Sequence, residues 1–524
     1  MTAAAPAAPE PPAGFWSGLS DRLNPILVRE VQQAVKGRMF ALSVWLVLLV
    51  SVIIALVVVG GGGRSEEAGR GVFAAGLATL VPLLVFVVPM QAYNSMRLEL
   101  RSGIVEQLLL SRLRPRSILA GKLLAAMVQF VLYVSILAPL LATSYLLRGV
   151  DLPTIVTSLG FALVVCVTST AAAVSAAAQG TLPTLQSLSQ VGAAFGFGMM
   201  TFALLTYVGS GEYVRDLGWL MRQAEFTAVV SALLLGAAAT TVLSALVAQS
   251  FLLHAFENRS TGFRVYLFAV LFVALGWLVA FVEPNDRHDA LAALVFCGVL
   301  LGLAFALFQW TEQKELSPRV RAHVPRRAGL ALAVAPFLPG RDRAVPCLVL
   351  WLLLLGGLGA LAWPVVHATT IVPGVTVSTF RFGTLRMAAM TAAYGVIYLS
   401  LAKWLRGRLP PTVGGNQVAR FLLPVLLVLF CIAPALVDVF ARGGVESWHA
   451  GHAMNPFWTI ERTAFRVRQD EVLFGLLGVA ALCLLLQVRS VFAGCAEVLD
   501  AAAARRAAAA VPPPPTLPTA ESDA

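Results

Sequence analysis

Few side chains in this 524-residue sequence are of a kind that binds metal, phosphate or protons, and they fall in a handful of places. Glu446, His449, His452 and Glu461 share one hydrophilic stretch, and two histidines three residues apart are within metal-ligand reach on a helix. Neither HExxH nor a paired-acid pattern accompanies them, so a solvated polar loop is the preferred reading and no metal site is expected. Gly121-Lys122 invites comparison with a phosphate-cradling loop, which needs GxxxxGK[ST]. Here Leu123 follows the lysine, and Arg116 and Ser117 stand where the first glycine belongs, so no ATP site is expected in the chain. Lys122, Arg386 and Asp438 fall near the ends of apolar runs, where a long polar side chain is expected to snorkel to the interface.

Two further segments combine charge with helix punctuation. In SDRLNPILVREVQQAVKGRMF, Asn24 can cap a helix, Pro25 suits its first position and Gly37 can end it. Leu23, Leu27, Val31 and Val35 recur every four residues, while Arg29, Glu30 and Lys36 take other faces, which predicts an amphipathic helix along a membrane surface. In RLELRSGIVEQLLLSRLRPRSILAGKLLA, Ile104, Val105, Leu108, Leu109 and Leu113 form an apolar stripe beside Glu106, Gln107 and Arg112. Pro115 ends this run, predicting a short helix over 102–114 with a mixed surface.

The elements that must position these segments are membrane spans. The chain is 58% hydrophobic and only 12% charged, with a mean hydropathy of +0.82, whereas soluble domains carry about a quarter charged residues. Apolar runs of about 20 residues recur throughout, each long enough to cross the bilayer core as a helix, and they lack the alternation of a barrel strand. The expected fold class is therefore an all-α polytopic membrane protein with about twelve spans: 39–59, 71–90, 118–147, 154–178, 187–208, 226–250, 265–282, 291–310, 346–366, 384–402, 420–440 and 471–489. They divide into two six-helix halves, 21–255 and 256–490, between Ala/Pro-rich ends at 1–20 and 491–524 that are expected to be disordered.

The net charge of +11 comes mainly from Arg and Lys in short loops, a placement that reads as topology and argues against a nucleic-acid partner. It predicts both termini in the cytoplasm of a cell whose inner (plasma) membrane the chain crosses. The loop 441–470 is the exception, expected outside although it carries Arg442, Arg462, Arg466 and Arg468. Its GHAMNPFWTIER segment reads as an interfacial turn anchored by aromatics. The six cysteines lie in or beside apolar runs with no CxxC, so free thiols are expected.

Taken together, in this order, the two charged segments resemble the type-2 ABC transporter permease family. That family has an amphipathic helix with Asn-Pro and Arg-Glu before the first span, here Asn24, Pro25, Arg29 and Glu30. It then has a stretch of Glu, Gly, a Glu before a leucine run, and Gly-Lys at the third span, here Glu99, Gly103, Glu106, Leu108 to Leu110, Gly121 and Lys122. The family's Gly-Thr-Leu-Glu is replaced by Gly103-Ile104-Val105-Glu106, and the likeness covers residues 20–255 while fitting the second half loosely. It implies an export permease, not itself an enzyme, whose coupling helix at 102–114, with Leu108, Leu109 and Arg112, docks on a separate ABC ATPase that binds ATP and Mg. The family works as a pair, so either the second half stands in for a second copy or two chains form a homodimer through their first halves; the homodimer is preferred, because the loop at 313–327 has no leucine stripe like that at 104–113.

Two readings compete. An ion-coupled secondary transporter can also have about twelve spans, but it usually places ionisable residues near the midplane, where this sequence has almost none. An intramembrane enzyme would need a reactive constellation that the 441–470 loop does not supply. Charge-poor spans suit a bulky or amphipathic cargo, which the sequence does not specify further.

Overall fold

The computed structural model describes residues 25–60, 66–110, 115–179, 183–253, 257–284, 286–310, 312, 314–362, 377–409, 453–463 and 470–510, with scattered positions in 418–440. Among the described residues every regular element is a helix. Ten helices among these residues are long and apolar enough to cross a membrane, as befits a multi-pass membrane protein. A further pair, Glu471–Leu485 and Val488–Ala507, meets the same test together and is bent by 42°. Ten of the twelve expected spans correspond to these ten helices, and the one expected at 471–489 falls on the bent pair. The span expected at 420–440 lies mostly outside the described residues.

By their internal contacts the residues group into two compact units, Met1–Leu253 and His254–Ala524. The first begins with α1 (Pro25–Lys36) and the long spans α2 (Arg38–Gly60) and α3 (Glu66–Arg101). A short α4 (Ile104–Leu110) follows, then α5 (Pro115–Leu146), α6 (Leu152–Ala178), α7 (Pro183–Gly209), α8 (Glu212–Leu220) and α9 (Phe226–Leu252). α3 packs against α5 and α6, and α6 against α9. Phe73, Leu77, Leu80, Tyr133 and Leu137 form one core, and Tyr93, Met96, Val105, Ala173 and Ala177 another.

The second span is longer than the apolar run that announces it, since 71–90 becomes Glu66–Arg101. Midway, Leu83–Val87 is a π-helical turn directly after Pro82. Proline has no N–H to give the helical ladder, and a wider turn is one way a helix absorbs the break.

The second unit comprises α10 (Thr261–Phe281), α11 (Arg287–Trp310), the short α12 (Pro318–Arg321) and α13 (Ala328–Val334), and α14 (Arg341–Ala362). α15 (Val377–Arg408), α16 (Pro456–Thr463), α17 (Asp470–Leu485) and α18 (Val488–Ala510) complete it. α11 packs against α14 and α15, and α15 against α17, the order in which α3, α5, α6 and α9 pack in the first unit. Trp351 is buried and donates to the Gly298 carbonyl at 3.0 Å.

Residues 491–510, expected to belong to a disordered extension, are part of α18. Alanine is the best helix former, and Val498 and Ala502, one turn apart, pack with Val320, Val324 and Ala331 in a small core. In the stretch 453–463, Asn455 accepts from the Trp458 N–H at 3.1 Å and Pro456 opens α16, a capped helix start. Tyr394 and Tyr398 donate to the carbonyls of Ala453 and Met454. Glu446, His449 and His452 lie outside the described residues.

Candidate functional site: a buried ion quartet behind an exposed loop helix

The last turns of α3 contain Tyr93, Ser95, Arg97 and Glu99, and helical spacing sends them to two faces. Tyr93 and Arg97 form one pair, four residues apart. Arg97 donates to the Gln186 carbonyl at 2.6 Å, to Gln186 Oε1 at 2.9 Å and to the Tyr93 hydroxyl at 3.0 Å, and that hydroxyl lies 2.9 Å from Ser189 Oγ. The start of α7 is thereby tied to the end of α3.

Ser95 and Glu99 form the other pair, and they meet α1 and α5. Lys122 Nζ lies 2.8 Å from Glu30 Oε1, 3.0 Å from Glu99 Oε2 and 2.8 Å from Ser95 Oγ. Ser95 donates to Glu30 Oε2 at 3.1 Å, and Arg29 pairs with Glu99 and, at 3.3 Å, with Glu30. Two cations thus balance two carboxylates, and Lys122 is only 2% exposed. Lys122 was expected to snorkel; it is instead enclosed by protein, because two carboxylates from neighbouring helices replace the water it would otherwise seek. Arg386 and Asp438 are likewise buried and do not snorkel.

Gly121 makes this closeness possible. A Cβ built there would lie 2.8 Å from Ile26 Cγ2 and 3.3 Å from the Leu27 backbone nitrogen, too near for another residue without displacing α1. The buried face of α1 is therefore Ile26 and Glu30, whereas Val35 of the anticipated apolar stripe is exposed. The Gly-Lys step thus has a physical account here: the glycine admits α1, and the lysine binds the acid α1 carries. Pro25 is the first residue of α1, and Asn24 lies outside the described residues.

Beyond the quartet the chain turns sharply. Ser102 closes α3 and Gly103 takes φ +72°, a left-handed conformation that favours glycine, so α4 departs at an angle. The predicted helix 102–114 is observed as Ile104–Leu110, and Arg112 lies outside the described residues. Val105 is buried in the core containing Tyr93 and Met96, Leu108 and Leu109 are half-buried, and Glu106, Gln107 and Leu110 are exposed. Leu110 is 80% exposed. A short helix with an acid, an amide and a bare leucine outward is held from behind by the apolar core that Val105 enters.

The second unit contains a network that the sequence reading missed. Arg264, fully buried at the start of α10, donates to the carbonyls of Pro336 and Gly340 at 2.8 and 3.2 Å, and lies 3.4 Å from Glu312. Arg343, fully buried at the start of α14, donates to the carbonyls of Pro339 and Lys314 at 2.7 and 3.1 Å and pairs with Glu497 at 2.7 Å. Glu497 in turn accepts from the Leu316 N–H and from Arg321, both at 2.8 Å. The available signal was an arginine on the first turn of an apolar run, a costly place for a charge unless partners surround it.

Among the described residues no three His, Cys, Asp or Glu side chains stand together in a way that could hold a metal ion. No family model, curated protein or solved structure matches the chain.

Proposed function

We propose that this protein is the membrane-spanning permease of an ATP-driven exporter, working with a separate ABC ATPase and crossing the inner (plasma) membrane with both termini in the cytoplasm. One observation carries the reading. Arg29, Glu30, Glu99 and Lys122, which carry the resemblance from positions about a hundred residues apart, meet in one quartet beside Gly121, at the end of α3 from which Gly103 leads into α4. In this reading α4 is the coupling helix. A push on it by the ATPase passes to α3 through Gly103, and to α1 and α5 through Glu99, Glu30 and Lys122. The π-turn at Leu83–Val87 gives α3 a place to bend between its two ends. Two copies per ATPase pair, associated through their first units, suit a chain with one leucine-striped loop helix.

Glu106→Lys is the test, because Glu106 is exposed and makes no part of the quartet. Reversing its charge is expected to weaken a docked interface by on the order of 1 to several kcal/mol while leaving the fold intact. Co-purification of the ATPase and vanadate-sensitive transport should both fall at least tenfold at unchanged permease abundance. Retention of both would remove α4 from the coupling contact. Transport by the chain alone, driven by an ion gradient and indifferent to vanadate, would replace this reading with a secondary transporter.

A further inference from the structure

A cavity of about 740 Å³ opens in the membrane-spanning part of the second unit, between α11, α14, α15 and α17. Its wall is almost entirely apolar, lined by residues such as Val295, Gly356, Ala389, Val396 and Leu484. That volume is within the range of roughly 300–1,000 Å³ typical of ligand pockets, and with no polar group to orient a ligand it suits a hydrocarbon chain. In the first unit the corresponding spans α5 and α9 pack on each other, whereas α14 and α17 leave this space between them.

The end of the cavity leads toward charge. Val396 and Lys403 are seven residues apart on α15, two turns along one face and about 10 Å along the axis. Leu484 is followed three residues later by Gln487. Lys403 donates to Gln487 Oε1 at 3.2 Å and to Ser490 Oγ at 2.9 Å, and lies 3.1 Å from Asp342. Arg341 stands 4.0 Å from the same carboxylate. The other charges acting on Lys403 are the cations Arg341 and Lys314, and Arg341 also repels the buried Arg406. Arg343 is matched separately by Glu497, so Arg341 and Lys403 share the single carboxylate of Asp342, with positive charge in excess.

We propose that the second unit binds an anionic phospholipid, one acyl chain filling the cavity and the phosphate lying against Arg341, beside the Lys403–Asp342 pair. A cation cluster alone would suit any phosphate, and an apolar cleft alone any hydrocarbon. Their spacing along α15 joins the two requirements in one amphiphile, and basic pockets between transmembrane helices are known to hold anionic headgroups. The inference is independent of the ATPase reading.

Native mass spectrometry of the delipidated full chain tests it. Palmitoyl-oleoyl phosphatidylglycerol should form a saturable one-to-one adduct at least ten times tighter than phosphatidylcholine with the same chains. Glycerol phosphate should not compete; competition would show a site for free phosphate and overturn the lipid assignment. A Cβ on Gly356 meets open space, so Gly356→Phe fills the cleft without a built-in clash and should weaken the anionic adduct at least tenfold. Arg341→Gln should remove the preference for phosphatidylglycerol and leave phosphatidylcholine binding unchanged. Gly192→Phe, at an equally open position in the first unit, is the control. Equal binding of the two lipids, or equal loss in Gly356→Phe and Gly192→Phe, would overturn the proposal. If Gly356→Phe does not purify as a monodisperse species, Ala389→Leu supplies the same reading by a smaller fill.

Discussion

The two units fasten the segment between their second and third spans in different ways. In the first, a lysine holds helices together through side-chain carboxylates: Lys122 of α5 reaches Glu30 of α1 and Glu99 of α3. In the second, two arginines hold irregular backbone, Arg264 and Arg343 together donating to the carbonyls of Lys314, Pro336, Pro339 and Gly340. The chemistry of the cations accounts for the difference. An ammonium is a compact point charge, whereas a guanidinium presents five donors in a fixed fork and can satisfy several carbonyls at once. The first arrangement leaves a short helix, anchored by Val105, beyond a glycine turn. The second clamps a longer stretch, 312–340, into a layer packed on α18.

That contrast can be broken most forcefully at Arg264. Arg264→Leu strips the donor from several carbonyls and leaves Glu312 without this partner, and breaking a buried network of this kind costs about 3–5 kcal/mol. Limited proteolysis should then cut within 312–340 while α4 keeps its original resistance. Equal loosening of both segments would show that the arginine clamp is not confined to its own loop.

Lys122→Met should cost a similar or slightly smaller amount, about 3 kcal/mol, because Arg29 remains to face the two carboxylates. Here a second substitution sharpens the comparison. Adding Glu30→Gln restores charge balance and should recover part of the lost stability in a double-mutant cycle read by denaturant unfolding. Strict additivity of the two losses would mean that Lys122 and Glu30 do not act as a pair.

A smaller effect is expected at the glycine turn. Gly103→Ala places a Cβ at φ +72°, which should destabilise the turn by about 1 kcal/mol with little change in global unfolding. Amide exchange should rise in residues 104–110 and remain unchanged in 318–334. Unchanged exchange in both stretches would show that the turn does not govern the position of α4.

Much of this protein followed from its residues alone. Apolar runs of sufficient length dictate helices in a bilayer, since each backbone polar group must be satisfied within its own segment. Pro25 opens α1 as expected, because its effects on φ and on the N–H are local, whereas Pro115, expected to end the loop helix, is the first residue of α5. Hydropathy understated α3 and α18: Arg97 and Glu99 looked like loop residues, and the alanine-rich end looked unable to pack.

Tertiary structure decided where the charges go. Whether Lys122 reaches water or a carboxylate depends on the approach of α1, which a glycine permits but no periodicity announces. Whether an alanine-rich stretch folds depends on a partner surface, here Val320, Val324 and Ala331. A buried ion is tolerated only where its counter-charges converge, and Glu30, Glu99 and Lys122 converge through packing between segments far apart in the chain. Composition can say that charges are few; only the fold says which of them face each other.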